Sequence, residues 1–308
     1  MNTAMKSVRI GTRGSPLALW QANETARLLR NAGFETDIVP IRTTGDLRRD
    51  VPLAAIGGKG LFIKELEEAL DRDQIDLAVH SLKDVPSILP ERFGLFGFLE
   101  RADPRDAWLQ RDGLPIGSLP AGAVVATSAP RRRAQLLERY PHLKIEAIRG
   151  NVETRLAKVR EGRYDGLVLA QAGLTRLGYT DAIVSTFSVD DMVPAAGQGI
   201  VALESLRSNQ LALDAAEAID NPRSALAARC ERGVLQQFDT LLDCTSCIAV
   251  HASLDDDAIT LRAFVSDPDG ETAERVTQRG IYADPLVSSV AEELRRRGAL
   301  RLIERKAS

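Results

Sequence analysis

The chain has 308 residues, 44% of them apolar and 27% charged, with a formal net charge of −3. That length exceeds one ordinary core and fits two or three domains, and a composition without any stretch of about 18 uninterrupted apolar residues describes a soluble globular protein with no membrane span. The negative balance excludes a general nucleic-acid binder, for which a strongly basic domain is expected, so any cationic function has to be local. The first residues, Met1 to Arg9, lack the apolar core of a secretory signal. Three cysteines, Cys230, Cys244 and Cys247, then read as reduced cytosolic thiols rather than a disulfide framework.

In chain order, short β-like runs alternate with helical patterns, which predicts parallel sheets with crossover helices. The runs are Val8 to Thr12, Thr36 to Ile41, Asp76 to Ser81, Val124 to Ser128, Lys144 to Arg149 and Gly166 to Ala170. Between the first two, Ser15-Pro16 reads as N-cap and first helical residue, and Leu17, Trp20, Glu24 and Leu28 recur at helical spacing. Further helices are predicted over Leu61 to Arg72, Arg131 to Arg139 and Val152 to Glu161. Breaks at Ala102-Asp103-Pro104, Pro194 to Gly199 and Asn221-Pro222 separate four segments. The last carries strand-like runs at Ile248 to Leu254 and Thr260 to Val265 and a helix around Leu286 to Arg297, the pattern of a small α+β domain.

The strand ends carry the chemistry. Arg13 and Ser15 follow the first run, Thr43, Thr44 and Asp46 the second, and Ser81, Lys83 and Asp84 the third. Thr127, Ser128, Arg131, Arg132 and Arg133 follow the fourth, and Arg149, Gly150, Asn151 and Arg155 the fifth. In open α/β sheets ligands bind outside the carboxyl ends of the strands. A helix N-terminus there offers free N–H groups and partial positive charge, and arginine offers a planar fork for carboxylate or phosphate. Several such ends converging on one cleft would hold a ligand with multiple anionic groups; singly, Ser15, Ser128 and Asn151 read equally well as ordinary caps. Asp84 stands apart as a carboxylate among cations. The glycine-rich segment from Thr43 to Gly60 lacks the full spacing of a phosphate-cradling loop and reads better as a flap. His80, His142 and His251 show no metal-ligand spacing, and Cys244-x-x-Cys247 has no second pair in range, so no metal site is expected.

Seven motifs in colinear order, from about residue 8 to the end, resemble the porphobilinogen deaminases, also called hydroxymethylbilane synthases. They are Gly11-Thr-Arg-Gly-Ser-Pro-Leu-Ala-Leu-Trp20, Gly57-Gly-Lys-Gly-Leu-Phe62, His80-Ser-Leu-Lys-Asp-Val-Pro86, Asp103-Pro-Arg-Asp106, Arg149-Gly-Asn-Val152, Ala172-Gly-Leu-Thr-Arg-Leu-Gly178 and Pro194-Ala-Ala-Gly-Gln-Gly199. The resemblance implies two periplasmic-binding-protein-like α/β domains, residues 1–100 with 200–219 and residues 101–199, and a small α+β domain over residues 220–308 that carries a cofactor on a cysteine loop. It implies head-to-tail condensation of four porphobilinogen molecules with loss of ammonia, giving hydroxymethylbilane for tetrapyrrole biosynthesis. Growth takes place on a dipyrromethane cofactor held by a thioether.

Carried over by motif, Asp84 is the catalytic carboxylate. Arg13, Ser15, Ser81, Lys83, Thr127, Ser128, Arg131, Arg132, Arg149, Arg155 and Arg176 bind the carboxylates of cofactor and substrate, Lys59 and Phe62 belong to the lid loop, and Gln198 joins the site. The resemblance further implies a cytoplasmic monomer that passes its product to uroporphyrinogen III synthase, with no nucleic acid or membrane partner. At the cofactor loop the chain departs from the family pattern of two small residues before the thiol and a proline three residues after it. Here Leu242-Asp243 precede Cys244, and Cys247 stands at the proline position. Aligning Ile248-Ala249-Val250-His251 makes Cys244 the attachment thiol. Two other classes fit the architecture, a binding protein for an anionic small molecule and the ligand-sensing domain of a regulator. The absent export signal, Asp84 and the cysteine loop weigh against the first. No helix-turn-helix with a basic face supports the second.

Overall fold

The computed structural model describes residues 7–42, 63–243 and 245–304. The chain divides into two compact units, residues 1–102 with 200–228 and residues 103–199 with 229–308.

The first unit is built on a five-stranded sheet in the order β2-β1-β3-β10-β4. Its strands are β1 (Ser7–Arg13), β2 (Glu35–Ile41), β3 (Leu77–Ser81), β4 (Phe93–Phe98) and β10 (Val201–Leu206). β1 pairs in parallel with β2 and β3, whereas β10 runs antiparallel to both β3 and β4. Helix α1 (Pro16–Asn31) lies between β1 and β2 in the chain, α2 (Lys64–Asp71) precedes β3, and α6 (Gln210–Ala218) follows β10. One sheet face packs Val8, Ile10, Leu77, Val79 and Leu203 against Ala22, Ala26 and Leu29 of α1 and Ala212 and Ala215 of α6. On the other, Leu66 and Leu70 of α2 cover Ile75, Ala78 and Phe93.

The second unit contains a sheet in the order β7-β6-β8-β5-β9. Its strands are β5 (Asp106–Leu109), β6 (Val124–Ala126), β7 (Lys144–Glu146), β8 (Gly166–Ala170) and β9 (Ser185–Thr186). β6 pairs in parallel with β7 and β8, and β5 runs antiparallel to β8 and β9. The two sheets therefore share one plan: a central strand between two parallel neighbours, then an antiparallel strand, then an edge. In each, the antiparallel strand is the one that directly follows a passage of the chain from the other unit. The expectation of parallel sheets with crossover helices holds for the strands on either side of β1 and β6, and β10 and β5 add an antiparallel strand to each sheet. Helices α3 (Pro130–Arg139), α4 (Val152–Arg160) and α5 (Gln171–Arg176) follow β6, β7 and β8 in turn.

A three-stranded antiparallel meander of β11 (Cys247–Leu254), β12 (Ile259–Ser266) and β13 (Ala273–Gly280) belongs to the same unit, with α8 (Ala283–Arg296) and α9 (Ala299–Glu304) after it. Its tie to α3 is apolar and ionic: Ala134 packs with Val193, Cys247, Ala249 and Phe264, while Arg275 pairs with Glu138 at 2.6 Å. At the hairpin turn Gly270 has φ +72, and a Cβ there would meet the Ala134 carbonyl at 2.5 Å, so only glycine allows this approach. Helix α7 (Pro222–Gln236), whose Ser224 N–H donates to Asn221 Oδ1 (2.9 Å), contains the boundary between the units. The break read at Asn221-Pro222 is thus a helix cap.

Two local expectations change. The helix after β1 buries Ala18, Gln21, Ala22, Thr25, Ala26 and Leu29, whereas Trp20 is 37% exposed. Small side chains let α1 approach the sheet, so the larger Leu17 and Trp20 flank the contact while Leu28 packs at its margin. The runs expected through Ser128 and Arg149 end at Ala126 and Glu146. Their last residues turn out of the sheet to start helices.

Candidate active site

β1 and β3 are adjacent and parallel, so their carboxyl ends share one sheet edge. Arg13 closes β1, and Ser15 caps α1 by accepting from the Ala18 N–H (3.3 Å). At the end of β3, Leu82–Asp84 form a single 3-10 turn, closed by the Val85 N–H donating to the Leu82 carbonyl (3.1 Å). Leu82 and Val85 are buried while Lys83 and Asp84 are exposed. The apolar pair anchors the turn and the charged pair faces outward. Gln21 Nε2 donates to Ser81 Oγ (2.8 Å), which fixes the last strand residue before the turn. Gln21 was not among the residues singled out; its signal is a polar side chain on the buried, alanine-rich stripe of α1.

In the second unit β6, β7 and β8 again run parallel and present their ends together. Thr127 is buried, and its N–H donates to the Glu146 carbonyl (2.9 Å), so β6 and β7 stay tied beyond their strands. Asn151 caps α4 by accepting from the Thr154 N–H (2.8 Å). Arg155 donates to the Gly150 carbonyl (2.8 Å) and to Ser128 Oγ (3.1 Å), and Lys158 Nζ donates to the Arg149 carbonyl (3.1 Å). The structure thereby brings Ser128, Arg149 and Arg155 together around one helix N-terminus, a ready site for anionic groups. Gly150 sits at φ +113 with a would-be Cβ 2.7 Å from Thr154 Cγ2, a turn only glycine tolerates.

Arg131 and Arg132 take a different position. Both are 5% exposed and converge on Asp106, which is 0% exposed, at 2.6 Å and 2.8 Å. Gln198 completes the group: its Nε2 donates to the Pro104 carbonyl (2.6 Å) and Asp106 Oδ1 (2.9 Å), and its Oε1 accepts from Arg131 (3.0 Å). Burial acts to raise the Asp106 pKa, but the charges of Arg131 and Arg132 and their hydrogen bonds outweigh it and hold the carboxyl well below the usual range. Asp106, the last residue of the Asp103 to Asp106 motif, was missed as a site residue because the strand-end argument points to residues after strands and this one opens β5. Arg176 donates to the Gly199 carbonyl (2.7 Å), next to Gln198.

Cys230 and Cys247 are buried, and burial pushes each thiol up to about 11. Burial and the raised pKa both work against nucleophilic reactivity, which needs an accessible thiolate. Cys244, Lys59 and Phe62 lie outside the described residues, as does the Thr43 to Gly60 segment. The loop next to position 244 is held by Asp243, whose Oδ1 accepts from the Thr245 N–H (2.8 Å) and hydroxyl (2.6 Å).

Fold and edge chemistry together define an α/β protein with cation-rich strand ends on each sheet and, after β3, an exposed carboxylate beside a lysine. Residues 8–214 match the family model described as porphobilinogen deaminase, dipyromethane cofactor binding domain, and residues 225–296 match porphobilinogen deaminase, C-terminal domain. The chain is 44% identical over 295 residues to the porphobilinogen deaminase of Geobacter sulfurreducens, covering 94% of this chain and 92% of that protein. It is 43% identical over 304 residues to the one from Acidithiobacillus ferrooxidans, covering 97% of each. The chain belongs to the porphobilinogen deaminase family. Among solved structures it is also similar to the methionine binding protein MetQ, at 10% identity and a TM-score of 0.46 over 71% of this chain and 92% of that one.

Proposed function

We propose that the chain is a porphobilinogen deaminase, a transferase that joins four porphobilinogen molecules head to tail, loses ammonia at each condensation and yields hydroxymethylbilane. The observation that carries the reading is the turn after β3, which presents Asp84 beside Lys83 on a buried anchor in a chain matched to this family over nearly its full length. The donor set fits a dipyrromethane cofactor. Capped helix starts at Ser15 and Asn151, with Arg13, Arg149 and Arg155 near them, offer the N–H groups and charges that acetate and propionate side chains need. Bound through a thioether, that cofactor supplies the pyrrole end on which the chain grows.

The remaining roles follow from this chain's own residues. A carboxylate presented on a fixed turn can offset positive charge developing at a pyrrole nitrogen as ammonia departs, which assigns Asp84 to catalysis. Ser81, Lys83, Thr127, Ser128 and Arg176 hold carboxylates together with the arginines above. Arg131 and Arg132 join them with guanidinium groups oriented by Asp106 and Gln198. Cys244 is the attachment thiol, supported by the burial of Cys230 and Cys247 and by their high pKa values. Lys59 and Phe62 are assigned to a lid. A third domain over residues 220–308, a cytoplasmic location, a monomeric state and hand-over of product to uroporphyrinogen III synthase complete the reading. Among the described residues no helix is long and apolar enough to cross a membrane.

Intact-protein mass spectrometry tests the assignment. The purified protein should carry an added mass equal to two linked pyrrole units, absent in Cys244→Ser and retained in Cys247→Ser. Unmodified protein after incubation with porphobilinogen would sink the reading, and an adduct retained in Cys244→Ser would move the attachment elsewhere.

A further inference from the structure

Behind the turn that carries Asp84 lies a buried acid and base cluster that the proposed chemistry does not use. His80, on β3, and Glu204, on β10, have side chains 5% and 0% exposed, with Nε2 and Oε2 2.8 Å apart. Strand alternation puts His80 on the same face as Ala78, the residue opposite Glu204 in the register. That face packs against α2 through Leu66, Leu70, Ala78 and Phe93. Neither Glu204 oxygen nor His80 Nε2 has an aligned hydrogen bond among the described residues, so each depends on this close approach to the other for its polar partner.

Glu67, on α2, is the third member. Its carboxyl is pushed up to about 7, first by burial and then by the negative charge of Glu204; Arg92 and His80 oppose that shift and Asp71 adds to it. Arg92, ahead of β4, is itself engaged by Asp71 at 2.8 Å and can offer Glu67 only part of its charge. Ionisation of half-buried Glu67 places a further negative charge near Glu204, which is why its proton is held more tightly.

We propose that His80 is a positioning residue for the Ser81 to Asp84 turn, and that its buried contact with Glu204, with Glu67 on the helix that covers this face, keeps the end of β3 in place. His80 directly precedes Ser81, the residue gripped by Gln21, and buried Leu82 follows. A shift at His80 is therefore passed to Lys83 and Asp84 through a rigid strand end. The proposal rests on Asp84 being the catalytic carboxylate, but its stability arm does not.

The test uses the holoenzyme and reads thermal melting, kcat and KM from about pH 4.5 to 8. A carboxyl whose folded pKa lies above its unfolded value binds more protons in the native state, so it lowers stability as pH rises between about 4.3 and 7. Glu67→Gln should remove at least about half of the parent's fall in melting temperature across that window. His80→Gln, which keeps a nitrogen near the Nε2 position, should lower kcat about tenfold or more while KM moves less than about threefold, because a misplaced catalytic group loses turnover before binding. A parental melting slope in Glu67→Gln would overturn the cluster, and parental kcat in folded His80→Gln would overturn the positioning role. Asp84→Asn, run alongside, separates these results from failure of the catalytic assignment.

Discussion

Asp84 and Asp106 are the same acid in opposite states. Asp84 is exposed on a turn whose hydrophobic neighbours bear the packing, so its carboxylate adds little to stability. Asp84→Asn should lose turnover by about a hundredfold or more while folding free energy changes by no more than about 0.5 kcal/mol, checked by an assay alongside chemical denaturation. Asp106 is fully buried between two arginines that it alone neutralises among the partners described. Asp106→Asn leaves both guanidinium groups buried without a counter-charge and should cost roughly 3 to 5 kcal/mol. Its pKa is depressed in the folded state, so the stability it supplies is present above the unfolded value of about 3.9 and is lost as pH falls through the folded one. The Asn variant should therefore show a shallower loss of stability on acidification, measurable as melting temperature against pH.

At the scale of elements, the recurring device is a parallel strand that ends, turns and starts a helix whose first N–H groups face outward. The turn after β7 is its tightest instance. Gly150→Ala forces a side chain into φ +113 and against Thr154, and should cost roughly 1 to 3 kcal/mol. It should also raise KM for porphobilinogen, because Arg155 is anchored on the Gly150 carbonyl. This device was readable in the sequence because its parts are local: Ser15-Pro16 and Asn151 are caps wherever they occur. Partners far apart in sequence were not readable. Gln21 gripping Ser81, Glu204 beside His80, and Asp106 between Arg131 and Arg132 depend on which strands become neighbours, and spacing does not reveal that. β10 and β5 were missed for the same reason: in isolation VALESL and DAWL carry no period that marks an antiparallel strand inserted into a parallel set. The α1 stripe was misread because alanine gives little hydrophobic contrast while making the closest contact.

For the whole molecule, the second sheet repeats the plan of the first while the chain threads through both. The first unit takes residues from two stretches separated by residues 103–199, and the second unit from two stretches separated by residues 200–228. Neither unit is a continuous piece of sequence. The strand that joins β3 to β4 is β10, spanning Val201–Leu206, so the ladder behind Asp84 is closed by a segment made after residues 103–199 of the second unit. On the ribosome, where residues emerge in order, this sets a schedule. The growing chain spends the synthesis of about a hundred residues with the edges of β3 and β4 unpaired, a condition in which strands add to other strands and which chaperones exist to shield. Asp84 comes early in the chain, and the strand that completes its support comes late.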